Sequence, residues 1–170
     1  RSTPKPSSAA SDVYKRQVFM PPKHDFLKYW RVVRYYIKAK YHLTTPDLEM
    51  MLFLYSEKYF SRADFREYGQ IMRWDKHRFN RLRTNGWIDI FRKPNRKAGV
   101  GAIYMLSSKG RGVIKNTYMF LMGDIQLSST APNTRLAKKS ACYADKTYLA
   151  MIKKMNKEYR KMKNLDIEDL

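Results

Sequence analysis

A single cysteine, Cys142, is all this 170-residue chain contains. One thiol excludes an internal disulfide framework and fits a reducing compartment. No apolar run approaches the roughly eighteen residues that a membrane-spanning helix needs, so no membrane partner is expected. The histidines, His24, His42 and His77, are scattered, and no Cys/His/Asp cluster has metal-ligand spacing. Gly-rich phosphate loops, GxSxG elbows and HExxH pairs are all missing. Catalysis, a cofactor and a metal are therefore not expected. Acidic residues are scarce too, with 15 Asp and Glu against 35 Lys and Arg, a formal charge of +20. That excess attracts a polyanion, for which nucleic acid is the usual choice. An anionic membrane surface or a ribosomal setting would give the same sign. Aromatic residues make up 14% of the chain, which marks a folded protein rather than a basic tail.

The opening stretch, RSTPKPSSAASDVYKRQ, has no apolar periodicity and offers too little apolar surface to offset chain entropy. It is no secretory signal, because no apolar segment follows the positive charges. Back-translated, Ser7 to Gln17 resembles a transposon-based sequencing adapter, and Arg1 to Thr3 resembles its upstream part in the same frame. Residues 1–17 are accordingly expected to be translated adapter, read through in metagenomic DNA, with the natural N-terminus missing. Arg1, Lys5, Lys15 and Arg16 against Asp12 account for three of the charges, leaving about +17 on residues 18–170.

From there the apolar spacing predicts a succession of helices. Phe26, Leu27, Trp30, Val33, Ile37 and Tyr41 predict a first helix over 25–41. Thr44 or Thr45 as cap, Pro46 in the first turn, and Asp47 and Glu49 near the positive dipole end predict a second over 46–57. Leu48, Met51, Leu52 and Tyr55 would form its inner face. Ser61 with Asp64 predicts a short third helix ending near Gly69. In RWDKHRFNRLRTNG, Phe79 and Leu82 face inward and Asn85-Gly86 stops the helix. Outside that face stand Arg73, Lys76, His77, Asn80, Arg81 and Thr84.

WIDIFR and GAIYMLS then alternate as strands of a two-stranded hairpin whose tip, KPNRKAGVG, carries Arg92, Lys93, Asn95, Arg96 and Lys97 at or beside it. Ser107 or Ser108 caps another helix, and residues 125–142 read as a loop. A stripe of Tyr148, Ile152, Met155, Tyr159 and Met162 predicts a final helix, followed by an acidic tail, NLDIEDL, expected to fray. No internal repeat is present.

This order predicts a mainly α protein with a small β-hairpin, a winged helix-turn-helix domain flanked by N- and C-terminal helices. From about Leu43 to Tyr118 the sequence resembles the MarR family of bacterial transcription regulators. The resemblance rests on LTTPDLEMMLFLY as the opening of the domain and FNRLRTNGWIDIFR as recognition helix, helix stop and first wing strand. YMLSSKGRGVI, with Leu106, Ser107 and Gly110, is similar to the family's second wing strand and turn into a helix. It implies an N-terminal dimerisation helix within 18–42, a DNA-binding domain over 43–107 and C-terminal dimerisation helices over 108–170. A homodimer would set two recognition helices about one DNA turn apart. The alternative is that these helices pack only on their own domain. Where the family carries an Asp-Arg-Arg-like triplet in the wing, this chain has Asn95-Arg96-Lys97, keeping the cations but not the acid. A small-molecule effector is left open, since the family's effector pockets have no portable motif.

Arg, Lys, Asn and His on a helix can reach base edges in the major groove, and cations on a wing suit phosphates or the minor groove. The expectation is a cytoplasmic, nucleoid-associated, bacterial or phage-encoded regulator that binds double-stranded DNA and is no enzyme. The alternative is a phage or plasmid replication-initiation or architectural protein with the same fold and little sequence specificity. A ribosome- or RNA-associated protein fits the charge but not the helix-stop-hairpin order.

Overall fold

Asp25 accepts the N–H groups of Leu27 and Lys28, each at 3.0 Å, and so delays the first helix. Such side-chain acceptors offer the backbone an alternative to the helical ladder. In the computed structural model, which describes residues 25–71, 75, 77–95, 97, 99–130 and 134–168, helix α1 accordingly spans Trp30–Tyr41. The expected start at residue 25 is five residues too early. Val33 and Ile37 are fully buried on it, whereas Phe26 and Leu27 stay exposed in the turn before it.

Helix α2, Thr45–Glu57, follows a complete capping box, in which Thr44 and Asp47 each accept the other's backbone N–H. Leu48, Met50, Met51 and Leu54 are buried on it, a wider arc than a single inner face, because α1, the sheet and a later helix all pack there. Tyr55, expected on the inner face, is exposed. Lys58 ends the helix with φ 64° and ψ −62° and turns the chain into β1, Tyr59–Ser61. Ser61 then caps α3, Arg62–Ile71, accepting the N–H groups of Ala63 and Asp64 while Asp64 takes the Ser61 N–H at 2.8 Å. The helix ends two residues beyond Gly69, near the expected stop.

After α4, Arg78–Thr84, strands β2, Ile88–Arg92, and β3, Ile103–Leu106, form the expected hairpin. The sheet nevertheless has three antiparallel strands in the order β1-β3-β2, not two. Strand β1 registers Phe60 against Tyr104, and β2 registers Ile90 against the same tyrosine before a shift of register at Phe91. Three residues wedged between two helices are too short to show alternation, which is why β1 escapes the sequence pattern. Phe60 and Tyr104 face inward with Phe65 and Phe79, sealing α3 and α4 against one side of the sheet.

Ser107 caps α5, Ser108–Met122, by accepting the Gly110 N–H, and its own hydroxyl donates to the Gly86 carbonyl at 2.8 Å. The segment read as a loop contains a 3-10 turn, Arg135–Ala137, and buries Leu127 and Leu136. The Asn156 amide clamps it, accepting the Leu127 N–H and donating to the Leu127 carbonyl. Helix α6, Tyr143–Glu168, carries Ile152, Met155 and Tyr159 inward, with Met162 exposed. It continues through most of the acidic stretch expected to fray. Helix α1 packs on α5 and α6 of its own chain. The result is a mainly helical protein with a small antiparallel sheet, and no described helix is long and apolar enough to cross a membrane.

Candidate nucleic-acid interface

Helix α4 is anchored from beneath by Phe79 and Leu82, both buried as the spacing predicts. Phe79 meets Phe65 and Tyr104 edge-on, with ring centroids 5.0 and 4.9 Å apart. The helix starts where Asp75 accepts the His77 N–H at 2.9 Å. That bond holds the exposed Asp75 carboxyl below its usual range. It stops at Gly86, whose φ of 72° lets the Trp87 N–H reach the Leu82 carbonyl at 2.8 Å. Anchored at both ends, α4 presents its outer side to solvent.

That outer side holds His77, Asn80, Arg81 and Thr84, all exposed. Arg83, absent from the sequence reading, is exposed as well and lies over the Tyr104 ring, 6.0 Å from its centroid. Two of the side chains expected to read bases are engaged within the protein. Asn80 accepts a hydrogen bond from Arg62 Nη2 at 2.6 Å, and Arg81 Nη2 lies 3.2 Å from Asp47 Oδ1. Arg73 and Lys76 lie outside the described residues.

Asp47 was read from the sequence only as a helix-dipole acid, yet it is the electrostatic hinge of this surface. Its carboxylate, 6% exposed, receives Arg78 Nη1 at 2.6 Å besides Arg81 and the Thr44 hydroxyl. Burial pushes its proton affinity up, but hydrogen bonds from Thr44, Arg81 and Arg78 outweigh that and hold the carboxyl below its usual range. Arg78 is mostly buried and Arg81 is roughly half exposed, so Arg78 ties α4 to the start of α2 while Arg81 remains within reach of solvent. No local pattern could have revealed this, since the partners are 31 and 34 positions apart.

Beside α4 the hairpin carries Arg92, Lys93 and Lys97, all exposed. Asn95 and Val100 exchange two backbone hydrogen bonds at 2.8 and 3.0 Å, extending the ladder into the tip, and Gly99 turns with φ 64°. Backbone pairing thus braces the tip. Arg96 lies outside the described residues. Between α3 and α4 a groove of about 400 Å³ is lined by Arg62, Arg66 and His77 over Phe65 and Phe79. Arg62 and Arg66 were also missed, because RADFREYGQ reads simply as an amphipathic helix with charges outward. The described residues include no group of His, Cys, Asp or Glu that could hold a metal ion.

Comparison with family models, curated proteins and solved structures gives no match for this chain.

Proposed function

We propose that the chain binds double-stranded DNA, with α4 in the major groove and the hairpin tip on the adjoining backbone, as in a winged helix-turn-helix regulator of MarR type. One observation carries this reading. A helix with a buried aromatic anchor turns His77, Asn80, Arg81, Arg83 and Thr84 outward beside a hairpin bearing Arg92, Lys93 and Lys97. A helix fits the major groove of B-DNA, and cations flanking it suit phosphates. The charge of about +17 on residues 18–170 supplies the long-range attraction. Homodimerisation through the terminal helices belongs to the same proposal. Phe26, Leu27 and Tyr143 leave apolar surface exposed near α1 and α6 for it.

A second reading, an architectural or replication-initiation protein with little base preference, is favoured by the engagement of Asn80 with Arg62 and of Arg81 with Asp47. A helix whose base readers are tied to its own protein reads bases only by giving up those contacts. Selection of bound sites from random duplex DNA separates the two. A dimeric regulator returns an inverted repeat, an architectural protein returns little consensus, and failure to retain any duplex rejects both.

A further inference from the structure

The inner side of the sheet faces α3 and α4, and on its outer side Tyr59, Asp89 and Phe91 are exposed. Side chains alternate across a strand, so Tyr59, Met105 and Asp89, which are cross-strand neighbours, form one row on the side away from Phe60 and Tyr104. Phe91 joins this row at the register shift, its ring centroid 4.4 Å from that of Tyr59. Both rings are more than half exposed, at 53% for Tyr59 and 55% for Phe91. Large apolar rings kept in water in this way mark a surface that meets something.

A cavity of about 310 Å³ opens next to them, lined by Tyr55, Lys58, Tyr59, Met105 and Arg111 among others. No acid lines it, and Asp89 stands at the opposite end of the row from Tyr59. Lys58 holds a backbone conformation rare for a side-chain-bearing residue, and such strain concentrates at functional positions. The Arg111 guanidinium is fixed by bonds to the Leu106 carbonyl at 3.1 Å and the Ser108 hydroxyl at 3.3 Å. Arg111, Lys115, Tyr118 and Met122, all exposed, follow one face of α5 at i, i+4, i+7 and i+11. Tyr118 meets Tyr55, with centroids 6.2 Å apart, so the aromatic surface continues from sheet to helix.

Exposed rings interleaved with cations are the two parts of a single-strand platform: bases stack on the rings and the backbone follows the charge. A duplex keeps its bases stacked on one another and has no use for exposed rings. We propose that the outer face of the sheet binds single-stranded nucleic acid, with unpaired bases on Tyr59 and Phe91 and phosphates at Lys58 and Arg111. This surface is distinct from α4 and does not depend on duplex binding there.

The test is fluorescence anisotropy with labelled oligothymidylate and oligouridylate of about twelve nucleotides, within the usual site size. A duplex of the same length serves as control. The two oligomers tell whether DNA or RNA is preferred. Tyr59→Ala with Phe91→Ala should weaken single-strand binding roughly tenfold or more, leave duplex affinity unchanged and leave melting unchanged. Tyr59→Phe should retain it, and Lys58→Gln should lower the salt slope by about 0.7 for the phosphate lost. Wild-type chain that ignores both oligomers would overturn the proposal. So would a double variant that binds them as before, or one that loses duplex equally. Loss of self-association in that variant, with single-strand binding intact, would assign the patch to a second copy instead.

Discussion

Asp47 on α2 and Arg78 in the first turn of α4 meet at 2.6 Å, both largely removed from water, and this contact joins the two helices that frame the candidate interface. Removing one member of a buried pair leaves the other charge without compensation. Arg78 Nε already has no hydrogen-bond partner among the described residues. Asp47→Ala should therefore destabilise the fold by about 3 kcal/mol, the lower end of the range for broken buried pairs. Arg81→Ala should cost well under about 1 kcal/mol, because its half-exposed side chain is solvated on release. Urea unfolding of both variants checks this, and an Arg81→Ala loss as large as that of Asp47→Ala would show that Arg81, not Arg78, carries the tie.

The same carboxylate sets a pH dependence. Its folded proton affinity is lowered, so its contribution to stability is fully present above the unfolded value, near pH 3.8, and is lost as pH falls through the folded value. Wild-type chain should lose stability below about pH 4 more steeply than Asp47→Asn, measured by thermal melting across that range. Parallel curves for the two proteins would remove Asp47 from the acid transition.

At Gly86 the φ of 72° is the constraint, since a Cβ there would meet nothing within 4 Å. Gly86→Ala should cost about 1–2 kcal/mol from the left-handed backbone alone. A neutral result would mean that α4 can end in another way.

Signals written within a few residues of each other were legible in the sequence. Thr44, Ser61 and Ser107 cap as their neighbours predict, Gly86 stops α4, and Phe79 with Leu82 points inward. Contacts made across the chain were not. Strand β1 exists because Phe60 finds Tyr104, 44 positions on, and nothing within Tyr59–Ser61 announces it. The Asp47 ties and the Arg62 bond to Asn80 likewise form only once α2, α3 and α4 meet. Sequence reasoning therefore named His77, Asn80, Arg81 and Thr84, which the fold leaves exposed, but missed Arg83 and the contacts that hold Asn80 and Arg81.

Salt should report on the phosphate contacts. Each one neutralised adds about 0.9 to the slope of log affinity against log salt, so Arg92, Lys93 and Lys97 together give a slope of about −2.7. Lys97→Ala should reduce it by about 0.9 and weaken all duplexes alike, as phosphate contacts do not discriminate sequence. Titration at several salt concentrations reads the slope directly, and affinity independent of salt would leave the hairpin cations without this role.

The most direct measurement compares Asn80→Ala, Arg81→Ala and Lys97→Ala on a selected duplex and on random duplex DNA, with melting confirming that each variant folds. If α4 reads bases and the hairpin holds phosphates, the α4 variants lose roughly 1–3 kcal/mol on the selected site and little on random DNA. Lys97→Ala then weakens both equally. Loss of both duplexes in the α4 variants, with Lys97→Ala impairing only the selected one, would reverse the two roles. Unchanged affinity in all three would contradict duplex binding through this surface.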